Sequence, residues 1–239
     1  MRHVRGCWRL LLLVLATLVL WPAWLVGRRT AVRRLWAVTA TRILRVAITV
    51  RGPRPTAPSF IVANHLSYLD IAVLWTAVDG DFLAKSEVAG WPVIGRLAAS
   101  TGTLFAERAR RTDLPRVVAL LQQRLARGRS VIVFPEGTSS PGERVLPLKP
   151  GLFEVAVVTG CPILCACLAY ATPDGAPSAR DAVCWWDDTS FARHIYRLAC
   201  LPSVRASIDF AAPPRPVADR KTLATQSHRI LQELHELAR

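Results

Sequence analysis

The first fifty residues keep their apolar and charged positions apart. Leu10 to Val26 is a run of 17 residues without a charge, bounded by Arg9 before it and by Arg28 and Arg29 after it. That length lies at the short end of what spans a bilayer. A basic start and an apolar middle also describe a signal peptide. However, WPAW offers no small-x-small cleavage site, so the segment is expected to be retained. From Ala31 to Val50, a wheel at about 100° per residue puts Arg33, Arg34, Arg42 and Arg45 on one side and Val32, Trp36, Ile43 and Ala47 on the other. The pattern predicts a basic amphipathic helix, either lying in the headgroup plane with Trp36 at the interface or packing its apolar side on a domain. With the preceding segment it makes either a span or a hairpin in one leaflet. Arginines after the apolar run outnumber those before it, so a span would place the rest of the chain in the cytoplasm, at the inner membrane.

After the turn-rich RGPRPTAP at 51–58 the pattern changes to short apolar runs alternating with helical periodicity. Strands are predicted at 59–63, 81–84, 102–105, 130–134, 163–170 and 204–210. Helices are predicted at 67–78, 92–100, 114–127, 151–159, 191–200 and 221–238, with APPRP at 212–216 as a linker. This alternation predicts an α/β fold: a single mixed-sheet domain flanked by helices over 51–239, preceded by N-terminal membrane-associating helices over 1–50.

Charge and composition narrow the partners. A net charge of +14, from 31 Lys+Arg against 17 Asp+Glu, attracts nucleic acid, anionic lipid or phosphate-bearing substrates alike. An apolar content of 51% turns the reading from nucleic acid toward a lipid bilayer. The six cysteines form no CxxC pair and have no histidine at zinc spacing, so no metal site is expected. Cys161, Cys165 and Cys167 lie in an apolar run where a free thiol behaves as a small hydrophobe, consistent with a reducing compartment.

Two strand ends carry candidate chemistry. FIVANHLSYLD runs from a strand into a turn holding Asn64 and His65, then into a helix containing Asp70, an H-x4-D pair. A histidine presented on a strand-end loop is a candidate base. Ser67 to Asp70 also reads as a capping box, which explains both residues without catalysis. The two readings are compatible only if His65 lies outside the helix, since five helical residues separate side chains by about 140°. GRSVIVFPEGTSS displays Glu136, Gly137 and Thr138 in a second strand-end turn, where a carboxylate and a hydroxyl suit a polyol. An ordinary turn would look the same.

NHLSYLD and FPEGTSS, in this order and spacing, resemble the first and third motifs of the glycerolipid acyltransferase family, the lysophosphatidate acyltransferases. Between them, KSEVAGWPVIGRLAASTGTLFAER, with Lys85, Pro92, Gly95, Gly102, Phe105 and Arg108, resembles the second motif. LPLKPGLF, with Lys149, Gly151 and Phe153, resembles the stretch after the third. CPILCACLAY resembles the fourth, with Cys where the family more often has Val or Pro.

The resemblance implies transfer of a fatty acyl chain from acyl-CoA or acyl carrier protein to the free hydroxyl of a lysophospholipid, with no cofactor beyond the donor. The acceptor most in keeping with it is 1-acyl-glycerol-3-phosphate, giving phosphatidic acid; lyso-ornithine lipid or another lysophospholipid is the alternative. It further implies His65 as general base, Asp70 as its partner, Glu136, Gly137 and Thr138 at the acceptor's glycerol, and Arg108 and Lys85 at its phosphate, with Phe105 in the same site. The thioester is already activated, so a base suffices. Arg suits phosphate through its planar fork, although ERARR also reads as a solvated basic patch. Two rivals stay open: a hydrolase using Ser67 or Ser139, neither of which lies in a G-x-S-x-G elbow, and an inactive basic membrane protein.

Overall fold

The computed structural model describes residues 2–25, 29–55, 58–106, 113–211 and 219–238. Helix α1 (Arg2–Leu25) folds back on α2 (Arg29–Ile43). Among the described residues seven strands follow: β1 (Val46–Arg51), β2 (Phe60–Ala63), β3 (Asp81–Lys85), β4 (Leu104–Ala106), β5 (Val131–Val133), β6 (Ile163–Ala171) and β7 (Val204–Ala211). Between and after them lie α3 (Leu69–Ala77), α4 (Ser86–Ala89), α5 (Ile94–Ser100), α6 (Leu114–Ala126), α7 (Glu154–Thr159), α8 (Ala179–Ala182), α9 (Phe191–Cys200) and α10 (Arg220–Leu237).

The strands form one sheet in the order β1-β7-β6-β2-β5-β3-β4. Only the β6–β7 pair is antiparallel; the other five pairings are parallel, so the sheet is mixed, as the sequence predicts. Alternation along the strands divides the core in two. Ile61, Ala63, Ile132, Leu164 and Leu168 face a layer containing Leu69, Val73 and Leu198 of α3 and α9. Phe60, Val62, Val131, Val133, Cys165 and Cys167 face Val117, Leu121, Val155 and Leu231 of α6, α7 and α10. Cys165 and Cys167 are thus core apolar groups, and burial pushes both thiols up to about 12.

Two N-terminal expectations need correction. The helix over Ala31–Val50 stops at Ile43; after a turn in which Arg45 takes φ +56°, residues 46–51 become β1, paired in parallel with β7. The run VAITVR satisfies a two-residue alternation as well as a helical wheel, and pairing with β7 decides between them. Arg33 does not lie on the solvent side with Arg34, Arg42 and Arg45. It is 2% exposed, donating to Asp81 at 2.8 Å, to the Gly80 carbonyl at 3.0 Å and to Asp79 at 3.4 Å. Arg129 joins both aspartates and Arg124 lies 3.5 Å from Asp81, closing an ionic cluster at the start of β3. A buried guanidinium is tolerable only with such partners.

Helix α1 docks on the domain. Arg9, 6% exposed, donates to the carbonyls of Ala199, Leu201 and Pro202 at the end of α9, where the helix dipole favours a cation. Trp36 of α2 donates to Thr17 of α1 at 3.0 Å and meets Trp75 of α3 edge-on. On the other side of α1, Val4, Trp8, Leu11, Leu15 and Leu18 form an exposed apolar stripe at helical spacing. Arg2–Trp24 is long and apolar enough to cross a membrane. Arg28 and the 212–216 linker lie outside the described residues.

Candidate active site

The parallel half of the sheet brings the carboxyl ends of β2, β5, β3 and β4 to one edge, where ligands of open α/β sheets bind. At the end of β2, the Asn64 side chain continues the strand ladder: its amide donates to the Leu168 carbonyl at 2.9 Å and accepts from the Leu168 N–H at 2.7 Å. The chain then leaves the sheet at His65. Its N–H donates to Oε1 of Glu136 at 3.0 Å, and its carbonyl accepts from the Ser140 N–H at 2.9 Å. The imidazole stacks on Phe134, centroids 4.1 Å apart.

Asp70, in the first turn of α3, is fully buried, and its Oδ2 lies 2.8 Å from Nδ1 of His65. The same oxygen accepts the N–H groups of Leu66 and Ser67 at 2.8 and 3.0 Å. Asp70 therefore reaches back to the Ser67 amide as in a capping box and also holds His65, and His65 lies outside the helix as that pairing requires. An ionised carboxylate only accepts, so Nδ1 carries the proton and the Nε2 lone pair is left for a substrate. The imidazole is 25% exposed, within reach of one.

At the end of β5 the turn is closed by Gly137 N–H to the Phe134 carbonyl, with Gly137 at φ +80°. That positive φ favours glycine; a Cβ there would meet only the mobile end of the Lys149 side chain. Glu136 is 4% exposed. Its Oε1 braces the His65 amide, a task no spacing suggested, while Oε2 has no hydrogen-bond partner among the described residues. Burial pushes this carboxyl up to about 8, against the lowering effect of the His65 and Leu146 amides. The folded state thus keeps a proton that the unfolded chain releases near 4.5. Wild-type stability is expected to fall as pH rises from about 4.5 to about 8, and Glu136→Gln should remove that component, by up to about 4 kcal/mol. Urea denaturation of both proteins at pH 5 and pH 8 checks this, and an identical pH dependence refutes it.

Of the other sequence candidates, Lys85 is exposed at the end of β3, half-buried Phe105 pairs with Ala84 in β4, and Thr138 is exposed in the Glu136 turn. Arg108, just beyond β4, lies outside the described residues. The hydrolase serines do not pair with His65: Ser67 is buried, and the Ser139 hydroxyl donates to the Trp185 carbonyl. The Trp185 N–H in turn holds the Leu66 carbonyl at 2.8 Å, so one residue clamps both strand-end turns.

A family model described as Acyltransferase matches residues 45–169, more than half of the chain and both of these turns. The chain belongs to the acyltransferase family. A 1-acyl-sn-glycerol-3-phosphate acyltransferase of Neisseria gonorrhoeae is 31% identical over 173 residues, covering 72% of this acyltransferase and 67% of the relative. A lyso-ornithine lipid O-acyltransferase of Pseudomonas aeruginosa is 32% identical over 205 residues, covering 85% and 78%. The crystal structure of a 1-acyl-sn-glycerophosphate acyltransferase from Thermotoga maritima superposes with a TM-score of 0.71 at 22% identity, covering 100% of this acyltransferase and 98% of that chain, so the two share a fold.

Proposed function

We propose that this acyltransferase moves a fatty acyl chain from acyl-CoA or acyl carrier protein to the free hydroxyl of a lysophospholipid, with 1-acyl-glycerol-3-phosphate as the first acceptor to test. The observation that carries the reading is the His65–Asp70 pair, Nδ1 and Oδ2 at 2.8 Å, with the imidazole partly exposed. Nε2 takes the acceptor's hydroxyl proton as its oxygen attacks the thioester carbonyl; the carbon–sulfur bond then breaks, and the proton passes from His65 to the departing thiolate. The exposed Thr138 of the Glu136–Gly137 turn meets the acceptor's polar backbone, and Lys85, Phe105 and Arg108 are assigned to its headgroup from the second motif alone. Lyso-ornithine lipid is the second reading, supported by the longer match to the Pseudomonas relative. Detergent-solubilised enzyme with labelled donor and a panel of lysolipids separates them: the acceptor with the higher kcat/KM identifies the substrate, and transfer to neither overturns both. Arg108→Ala is expected to raise the acceptor KM roughly ten- to a hundredfold with kcat little changed if its guanidinium grips phosphate. An unchanged KM returns Arg108 to the solvated patch.

The same reading seats α1 in the cytoplasmic leaflet of the inner membrane, its exposed stripe toward the acyl chains and the catalytic domain in the cytoplasm. Supporting it, Arg9 at one end of α1 and Trp24 at the other are both buried against protein. Deleting residues 1–29 should leave weak, salt-sensitive binding to anionic vesicles through the exposed Arg34, Arg42 and Arg45. Flotation with phosphatidylglycerol vesicles at low and high salt measures it, and no binding at low salt counts against the basic helix.

A further inference from the structure

Strand β6 runs on beyond the end of β2, and its free length supports the catalytic turn. Ala63 pairs with Ala166; Asn64 replaces the next rung by bonding Leu168 through its side chain; two residues further, on the same side of the strand, stands Tyr170. Its hydroxyl lies 2.7 Å from Oδ1 of Asp70. The division of labour on the carboxylate is complete: Oδ2 takes His65 and the amides of Leu66 and Ser67, and Oδ1 takes Tyr170.

A carboxylate held through one oxygen can rotate about its terminal torsion, which is broad. Held through both, it is fixed in plane, and its alignment on Nδ1 is fixed with it. Burial beside the Asp70 charge raises the phenol well above its ordinary value, so Tyr170 remains a donor across the working pH range. We propose that Tyr170 is a positioning residue for the reaction: its bond to Oδ1 keeps Asp70 oriented on His65 and draws off part of the negative charge that the imidazole feels.

The inference rests on His65 being the base, and the test separates the two. Tyr170→Phe removes only the hydroxyl. With saturating donor and acceptor, kcat is expected to fall about tenfold while both KM values hold, since the phenol is engaged with Asp70. The acid limb of the pH–kcat/KM profile should move up by roughly half a unit, because an Asp70 with one donor fewer stabilises the imidazolium more strongly. In a His65→Ala background the same change should cost nothing further, as for residues that act as one unit. Placing 3,5-difluorotyrosine at 170 gives a stronger donor and should move the acid limb the other way, a readout that survives if the Phe variant folds poorly. An unshifted profile in both variants, or an additive loss in the His65→Ala background, overturns the role of Tyr170. Full transfer by His65→Ala instead overturns the base assignment itself.

Discussion

His65→Ala is expected to lower acyl transfer by about 10²- to 10⁴-fold while leaving folding and vesicle binding near normal. The main-chain bonds at this position, from its N–H to Glu136 and to its carbonyl from Ser140, do not depend on the imidazole and persist in the variant. What is lost is the stack on Phe134, the Nδ1 bond to buried Asp70 and the proposed base. Transfer rates read beside a melting curve decide the matter, and substantial transfer by a folded variant assigns the proton to another group.

The second large effect belongs to Asp70. In Asp70→Asn the amide oxygen is expected to turn toward the donors of His65, Leu66 and Ser67, because an NH2 group there would face all three. The NH2 then faces Tyr170, whose hydroxyl can reverse and accept. The turn therefore keeps its shape, but the imidazolium formed during transfer loses its counter-charge, and kcat should drop by roughly 10³-fold or more. Denaturation curves belong with the rates, since Asp70 is fully buried and also anchors the start of α3. Near-wild-type kcat would mean that Asp70 only holds the turn.

What could be read from the sequence was what depends on neighbours in the chain. His65 and Asp70 meet across one turn, and their pairing follows from a strand end followed by a helix start. The helix at Phe191–Cys200 and the strands of the parallel half follow from periodicity. What could not be read depends on partners brought from afar. Arg33 shares a wheel face with Arg34, and only the approach of Asp79, Asp81 and Arg129 makes it a core residue. Strand β1 resembles the end of a helix until β7 supplies the ladder. Glu136 reads as a polyol ligand, and only the fold puts its Oε1 on the amide of His65. Tyr170 lies 100 residues from the carboxylate it serves, and no local pattern marks it.

The place of β1 in the sheet also orders events during synthesis. β1 pairs with β7, and α1 packs on α9; both partners come from the last third of the chain. As the ribosome extends the chain, α1 and α2 are exposed long before residues 191–211 exist to receive them. Throughout that interval the apolar stripe of α1 and the face it will later press on α9 are both bare. A nascent chain built this way closes its sheet last, because β1 has no partner until β7 has been made.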